Sequence, residues 1–109
     1  MVTCSQVGNI LLIKMRLLGK KELYSFKQRH ADARKQVEAW EAEVKDADWR
    51  SPHDMKRQYP TADPLGNLNT IFNICGNKYR LWVLISYEEQ VVLVKKIGTH
   101  EEYDKWQIK

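Results

Sequence analysis

Between positions 79 and 87 the apolar residues occupy every second place: Tyr79, Leu81, Val83, Ile85 and Tyr87. A repeat of two is the repeat of an extended strand, and it puts these five side chains on one face. Arg80, Trp82, Leu84 and Ser86 fall on the other. A helix of the same residues would scatter the apolar side chains around its axis, so the chain must build a sheet here. The flanks agree. Residues 70–74 and 91–97 read as strands, joined to the central one by Gly76-Asn77 and by Glu88-Glu89-Gln90. Glycine in first place of a two-residue turn fits a type II′ hairpin. The second half of the chain is therefore expected to be a three-stranded meander.

The first half has a different period. Ala33, Val37, Trp40, Val44 and Ala47 follow the i, i+4, i+7, i+11, i+14 stripe of a helix with one buried face. Asp32 stands where an N-cap is expected, and Glu41 with Lys45 makes a favourable i,i+4 pair. An earlier helix is expected over 20–30, with Leu23 and Phe26 inward. Ser51-Pro52-His53-Asp54 carries the signature of a short capped helix that ends before Pro60. Residues 60–69, with Pro60, Asp63-Pro64 and Gly66-Asn67, read as an ordered loop. Residues 15–18 read as a short strand, with a longer strand over 10–18 as the rival reading. Thr99-His100-Glu101-Glu102 fits a capping box, so a short terminal helix should bring His100 and Tyr103 onto neighbouring positions. The expected fold is α+β: two N-terminal helices on one face of a small antiparallel sheet, the sheet being a short first strand plus the meander.

At 109 residues the chain makes one domain. Residues 1–14 read as an N-terminal extension or a misassigned start, with the working domain over 15–109. The formal net charge is +4, which favours an acidic partner such as nucleic acid, an anionic membrane surface or an acidic protein. Two cysteines, Cys4 and Cys75, and three scattered histidines give neither a disulfide framework nor a metal-ligand spacing. The expectation is a reduced, cytoplasmic protein without metal or cofactor. The apolar run at 10–13 is too short for a signal peptide core or a membrane span.

Two ordered stretches carry a likeness. Phe72-Asn73-Ile74, Gly76-Asn77-Lys78-Tyr79-Arg80-Leu81 and then Gly98-Thr99-His100, Glu102-Tyr103-Asp104 resemble the HigB-type toxins of the RelE superfamily. The segment from Trp40 through Trp49 and Ser51-Pro52 to Gln58-Tyr59-Pro60 resembles the same family. The resemblance runs from about Met15 to Asp104. It implies a compact RelE-like domain with an RNA-binding cleft on the sheet face away from the helices. It also implies cleavage of mRNA on the translating ribosome, and a cognate antitoxin as partner, commonly a helix-turn-helix DNA-binding protein.

A ribonuclease that uses side chains alone needs a base for the ribose 2′-hydroxyl, an acid for the departing 5′-oxygen, and fixed cations for the phosphorane-like transition state. The 2′-hydroxyl is the nucleophile, so no serine or cysteine is required. His100 can give or take a proton near neutral pH; the plain alternative is a surface histidine at a helix start. Tyr103 can hold or protonate a phosphate oxygen or stack on a base; alternatively its ring seals the sheet edge. Arg80 lies on the face opposite the Leu81-Val83-Ile85 stripe, where a guanidinium suits bidentate phosphate binding. Lys95 and Lys96 are consecutive in a strand, so alternation sends them to opposite faces. The family pattern selects Lys95 for the cleft. Lys78 and Lys56 suit backbone-tracking RNA contacts or plain solvation. Trp40, Trp49 and Trp82 read as core, and His30 and His53 receive no role. The candidate catalytic set is His100, Tyr103, Arg80 and Lys95, with Lys78 and Lys56 as RNA contacts. Two other functions fit the residues: a non-cleaving toxin of the same superfamily, ParE-like and gyrase-inhibiting or RNA-binding, and a basic protein-interaction module.

Overall fold

A computed structural model describes residues 15–107. In chain order it comprises β1 (Arg16–Leu18), α1 (Lys20–Arg29), a 3-10 turn (Ala31–Ala33), α2 (Arg34–Lys45), α3 (Pro52–Gln58), β2 (Asp63–Gly66), β3 (Asn69–Ile74), β4 (Tyr79–Ser86), β5 (Val91–Thr99) and α4 (His100–Tyr103). The five strands form one sheet in the order β1-β5-β4-β3-β2. The α+β class and the meander are as expected. The rival first strand over 10–18 extends outside the described residues.

Two features of the sheet differ from the sequence reading. β1 runs parallel to β5, so the sheet is mixed. Residues 63–66, expected in a loop, pair with β3 as an edge strand that bulges between Pro64 and Gly66. All four of its residues are exposed. It has no apolar alternation of its own and exists through its pairing with β3.

The helical layer covers one face. Leu23 and Phe26 of α1 and Val37, Trp40 and Val44 of α2 are buried against Phe72, Leu81, Val83, Ile85 and Val92 of the sheet in one continuous core. Gly19 allows α1 to start close over β5. Its φ is +79°, and a Cβ there would lie 2.7 Å from the Val94 carbonyl oxygen, so both conformation and space demand glycine. Trp40 and Trp49 belong to the core as read. Glu41 does not pair with Lys45; it accepts a hydrogen bond from Lys27 of α1 at 2.8 Å, tying the two helices together.

Asp32 does not cap α2. No side-chain cap is made there, and the carboxylate crosses to the sheet instead. It accepts from the Tyr79 hydroxyl at 2.9 and 3.0 Å and from the Lys78 ammonium at 2.6 Å. His30, given no role from sequence, completes this cluster: its ring packs on Phe26 (4.5 Å) and its Nδ1 lies 3.4 Å from the Tyr79 hydroxyl. The hydrogen bond from Lys78 is the main cause of a lowered Asp32 pKa, followed by that from Tyr79. A depressed folded-state pKa stabilises above the unfolded value of 3.8, and this is lost as pH falls through the lower folded value. Asp32→Asn should therefore flatten the loss of thermal midpoint below about pH 4, measured by melts stepped through that window. Equal acid sensitivity in both proteins would remove Asp32 from the account.

The facing of β5 is the largest correction. Trp82 of β4 pairs with Lys96 but Val83 pairs with Val94, so β5 carries one extra residue, a β-bulge. Val94 and Ile97 are both buried, and Lys95 and Lys96 between them are both exposed. Alternation fails at this point, and the two lysines are not divided between core and solvent. Trp82 is also not core. It lies half-buried on the open face, donating to Asn69 Oδ1 at 2.8 Å.

Candidate active site

The face away from the helices is the one that Arg80 and Trp82 share. Paired residues of neighbouring strands project to the same side, so transverse rows can be read from the register. One row is Asn73, Arg80 and Gly98; the next is Asp63, Ile71, Trp82 and Lys96. The terminal helix closes over the first row. Thr99 accepts from the Glu102 N–H at 3.2 Å, and Glu102 Oε1 accepts from the Thr99 N–H at 2.8 Å, the predicted capping box. Gly98 leaves room for it, since a Cβ there would lie 2.5 Å from Glu102 Oε1.

A cleft of about 370 Å³ opens here, lined by Lys56, Thr61, Ala62, Asp63, Ile71, Asn73, Arg80 and Tyr103. Three separate elements deliver predicted residues to it: α3 brings Lys56, β4 brings Arg80, and α4 brings Tyr103. Arg80 is held by its own hairpin, donating from Nη1 to the carbonyls of Asn77 (3.0 Å) and Tyr79 (3.4 Å). Its guanidinium lies 5.7 Å from the centre of the Tyr103 ring. No carboxylate among the described residues forms an ion pair with it, so donors remain for an anionic ligand.

The other predicted residues are spread around this centre. His100 does not line the cleft but adjoins it through Tyr103, the two rings meeting edge to face at 6.3 Å. His100 Nδ1 lies 3.7 Å from Asp104, and its backbone N–H donates to the Lys78 carbonyl at 3.3 Å. Lys95 stands one row along, its ammonium 6.0 Å from the centre of the Trp82 ring. Trp82 in turn contacts Trp106, which contacts Tyr103, giving an aromatic track from Lys95 to His100. Lys78 lies round the hairpin with its ammonium on Asp32, whose hydrogen bond and charge raise the lysine's pKa.

Sequence reading missed Asp63, Thr61 and Asn73. The Asn73 amide donates to the Thr61 carbonyl at 3.0 Å and so fixes the approach of β2 to the cleft. Nothing local marks Asp63, which reads as half of an Asp-Pro turn. A larger recess of about 530 Å³ between α1 and α2 contains Lys27, Glu38 and Glu41, but these pair with one another at 2.8 and 3.6 Å. It is an ordinary interhelical groove.

Residues 33–106 match the model of the HigB toxin family, described as the RelE-like toxic component of a toxin–antitoxin system. The chain belongs to that family. The match runs from the start of α2 through α4 and includes every residue of the cleft. Two relatives, the mRNA interferase toxin HigB of Escherichia coli K12 and the mRNA interferase HigB of Shigella flexneri, are each 24% identical over 92 residues, covering 83% of this chain and 88% of theirs. The mRNA interferase HigB of E. coli O6:H1 is 30% identical over 64 residues, 57% of this chain and 62% of its own. Membership of the HigB family makes this chain the toxin of a pair, with a cognate antitoxin as partner. No helix among the described residues is long and apolar enough to cross a membrane.

Proposed function

We propose that this HigB-family toxin is a ribosome-dependent endoribonuclease that cuts translated mRNA in the cytoplasm. The observation that carries the proposal is the meeting of Lys56, Arg80 and Tyr103 in one cleft, from three elements far apart in the chain. Cations and a phenol around one concavity match what phosphate cleavage by 2′-hydroxyl attack requires. The activity named for the E. coli and Shigella relatives supports the same reading.

In this mechanism Arg80 holds the scissile phosphate by paired N–H donors, and Lys56 adds charge from α3. Tyr103, against the Arg80 guanidinium, and His100 beside it serve the proton needed at the departing 5′-oxygen. Lys95 and the Trp82–Trp106 surface extend the track for neighbouring nucleotides through phosphate contact and stacking. Lys78 would meet RNA at the outer edge, sharing its ammonium with Asp32. Side chains alone carry the step. The antitoxin, commonly a helix-turn-helix DNA-binding protein in this family, would restrain the toxin between bouts of activity.

The test is induction of the toxin alone and together with the neighbouring antitoxin gene, with mapping of mRNA ends. Cuts at defined codon positions, suppressed by the antitoxin, are the expected result. Growth arrest with intact mRNA would instead favour a ParE-like, non-cleaving toxin. His100→Ala, verified as folded, should lower cleavage about 10²-fold or more; full activity would end its assignment.

A further inference from the structure

The proposed reaction leaves one half of its proton transfer without an owner. Tyr103 and His100 lie together on α4, beyond the end of β5. In an in-line displacement at phosphorus, the attacking and leaving oxygens stand on opposite sides of the reacting atom. A base for the 2′-hydroxyl must therefore reach the phosphate from the side away from α4. The sheet order identifies that side: β5 flanks β4 on one edge, and β3 then β2 on the other.

Asp63 is the carboxylate among the residues that line the cleft, and it stands on β2. Its register fixes its facing. Asp63 pairs with Ile71 and Ile71 pairs with Trp82, so its side chain shares the open face with both. The adjacent row holds Arg80, whose strand β4 lies between β2 and the β5 end from which α4 starts, and whose guanidinium lies 5.7 Å from the Tyr103 ring. No ion pair joins Asp63 to any described residue, although Lys56 and Arg80 line the same cleft. An ionised carboxylate has lone pairs and no proton, so it can accept from a hydroxyl.

From this placement, and resting on the ribonuclease reading above, we infer that Asp63 is the general base of RNA cleavage. The 2′-hydroxyl gives its proton to an Asp63 oxygen as the 2′-oxygen forms its bond to phosphorus. The bond from phosphorus to the 5′-oxygen breaks, and its electron pair leaves with that oxygen, which takes a proton from the α4 side. The products are a 2′,3′-cyclic phosphate and a 5′-hydroxyl end. Nothing is oxidised or reduced.

The experiment uses wild type, Asp63→Asn, Asp63→Glu and His100→Ala on ribosome-bound mRNA cut at a mapped site. A second mRNA carries sulfur in place of the bridging 5′-oxygen at that site. Asp63→Asn should lower kcat about 10²–10⁴-fold with little change in KM, and Asp63→Glu should recover part of the loss. A thiolate departs without a proton, so the sulfur substrate should restore His100→Ala and leave Asp63→Asn impaired. Asp63 is exposed and its backbone makes the β2 pairing, so antitoxin binding and circular dichroism should match wild type. Unchanged kcat in Asp63→Asn, a defect confined to KM, or rescue by the sulfur substrate would each overturn the assignment. A KM defect would make Asp63 a base reader. Wild-type protein that leaves mRNA intact would overturn the ribonuclease reading itself.

Discussion

Replacing Arg80 with alanine should lower cleavage of translated mRNA about 10²–10³-fold, the ~2.7–4 kcal/mol that one preorganised donor contributes to a transition state. The side chain is half-buried and is aimed by hydrogen bonds to its own hairpin carbonyls, so no reorganisation is needed as charge develops on the phosphate. Lysine at this position should not restore activity, because an ammonium cannot reproduce the paired, planar donors. Stability should change little, since the side chain is half-buried and outside the core, and the hydrogen bonds lost are local ones to its own hairpin. Single-turnover rates on programmed ribosomes and a parallel thermal melt measure the two quantities. An Arg80→Ala protein that cuts at the wild-type rate would remove the phosphate-binding centre from the proposed mechanism.

The largest effect on stability is expected at Phe72. This residue of β3 is 1% exposed and touches the rings of Trp40 at 5.4 Å, Tyr59 at 5.1 Å and Trp49 at 6.3 Å. It therefore joins α2, the end of α3 and the sheet. Phe72→Ala should cost about 3–5 kcal/mol through lost burial and an incompletely collapsed cavity. A domain of this size has a total of roughly 5–15 kcal/mol, so the variant should be largely destabilised. Urea denaturation measures it, and a loss under about 1 kcal/mol would contradict the packing described.

What the sequence displayed was the structure that depends on near neighbours. The α2 stripe, the β4 alternation and the caps at Ser51 and Thr99 are each decided within a few residues, and each is present. What it concealed depends on distant partners. β2 carries proline, glycine and no apolar pattern, and its strand geometry is imposed by β3. Asp32 looked like a cap because its partners, Lys78 and Tyr79, are 46 and 47 residues away. The candidate site divides the same way. Arg80 could be assigned a face from its own strand and Tyr103 from its capped helix. That Lys56 and Asp63 join them follows only from the sheet order and the packing of α3.

The extra residue in β5 has a consequence for the whole C-terminal end. Along a regular strand, odd and even positions keep fixed sides, and the bulge at Lys95–Lys96 exchanges the two. Before it the even residues Val92 and Val94 face the core; after it the odd residue Ile97 does. Without that change of parity, Lys96 would be driven inward, Ile97 would point to solvent, and the helix beginning at His100 would leave the sheet on the helical side. The lysine pair thus works as a frame setter. Adding or removing a single residue there would separate Tyr103 from Arg80 while leaving every side chain of the cleft chemically intact.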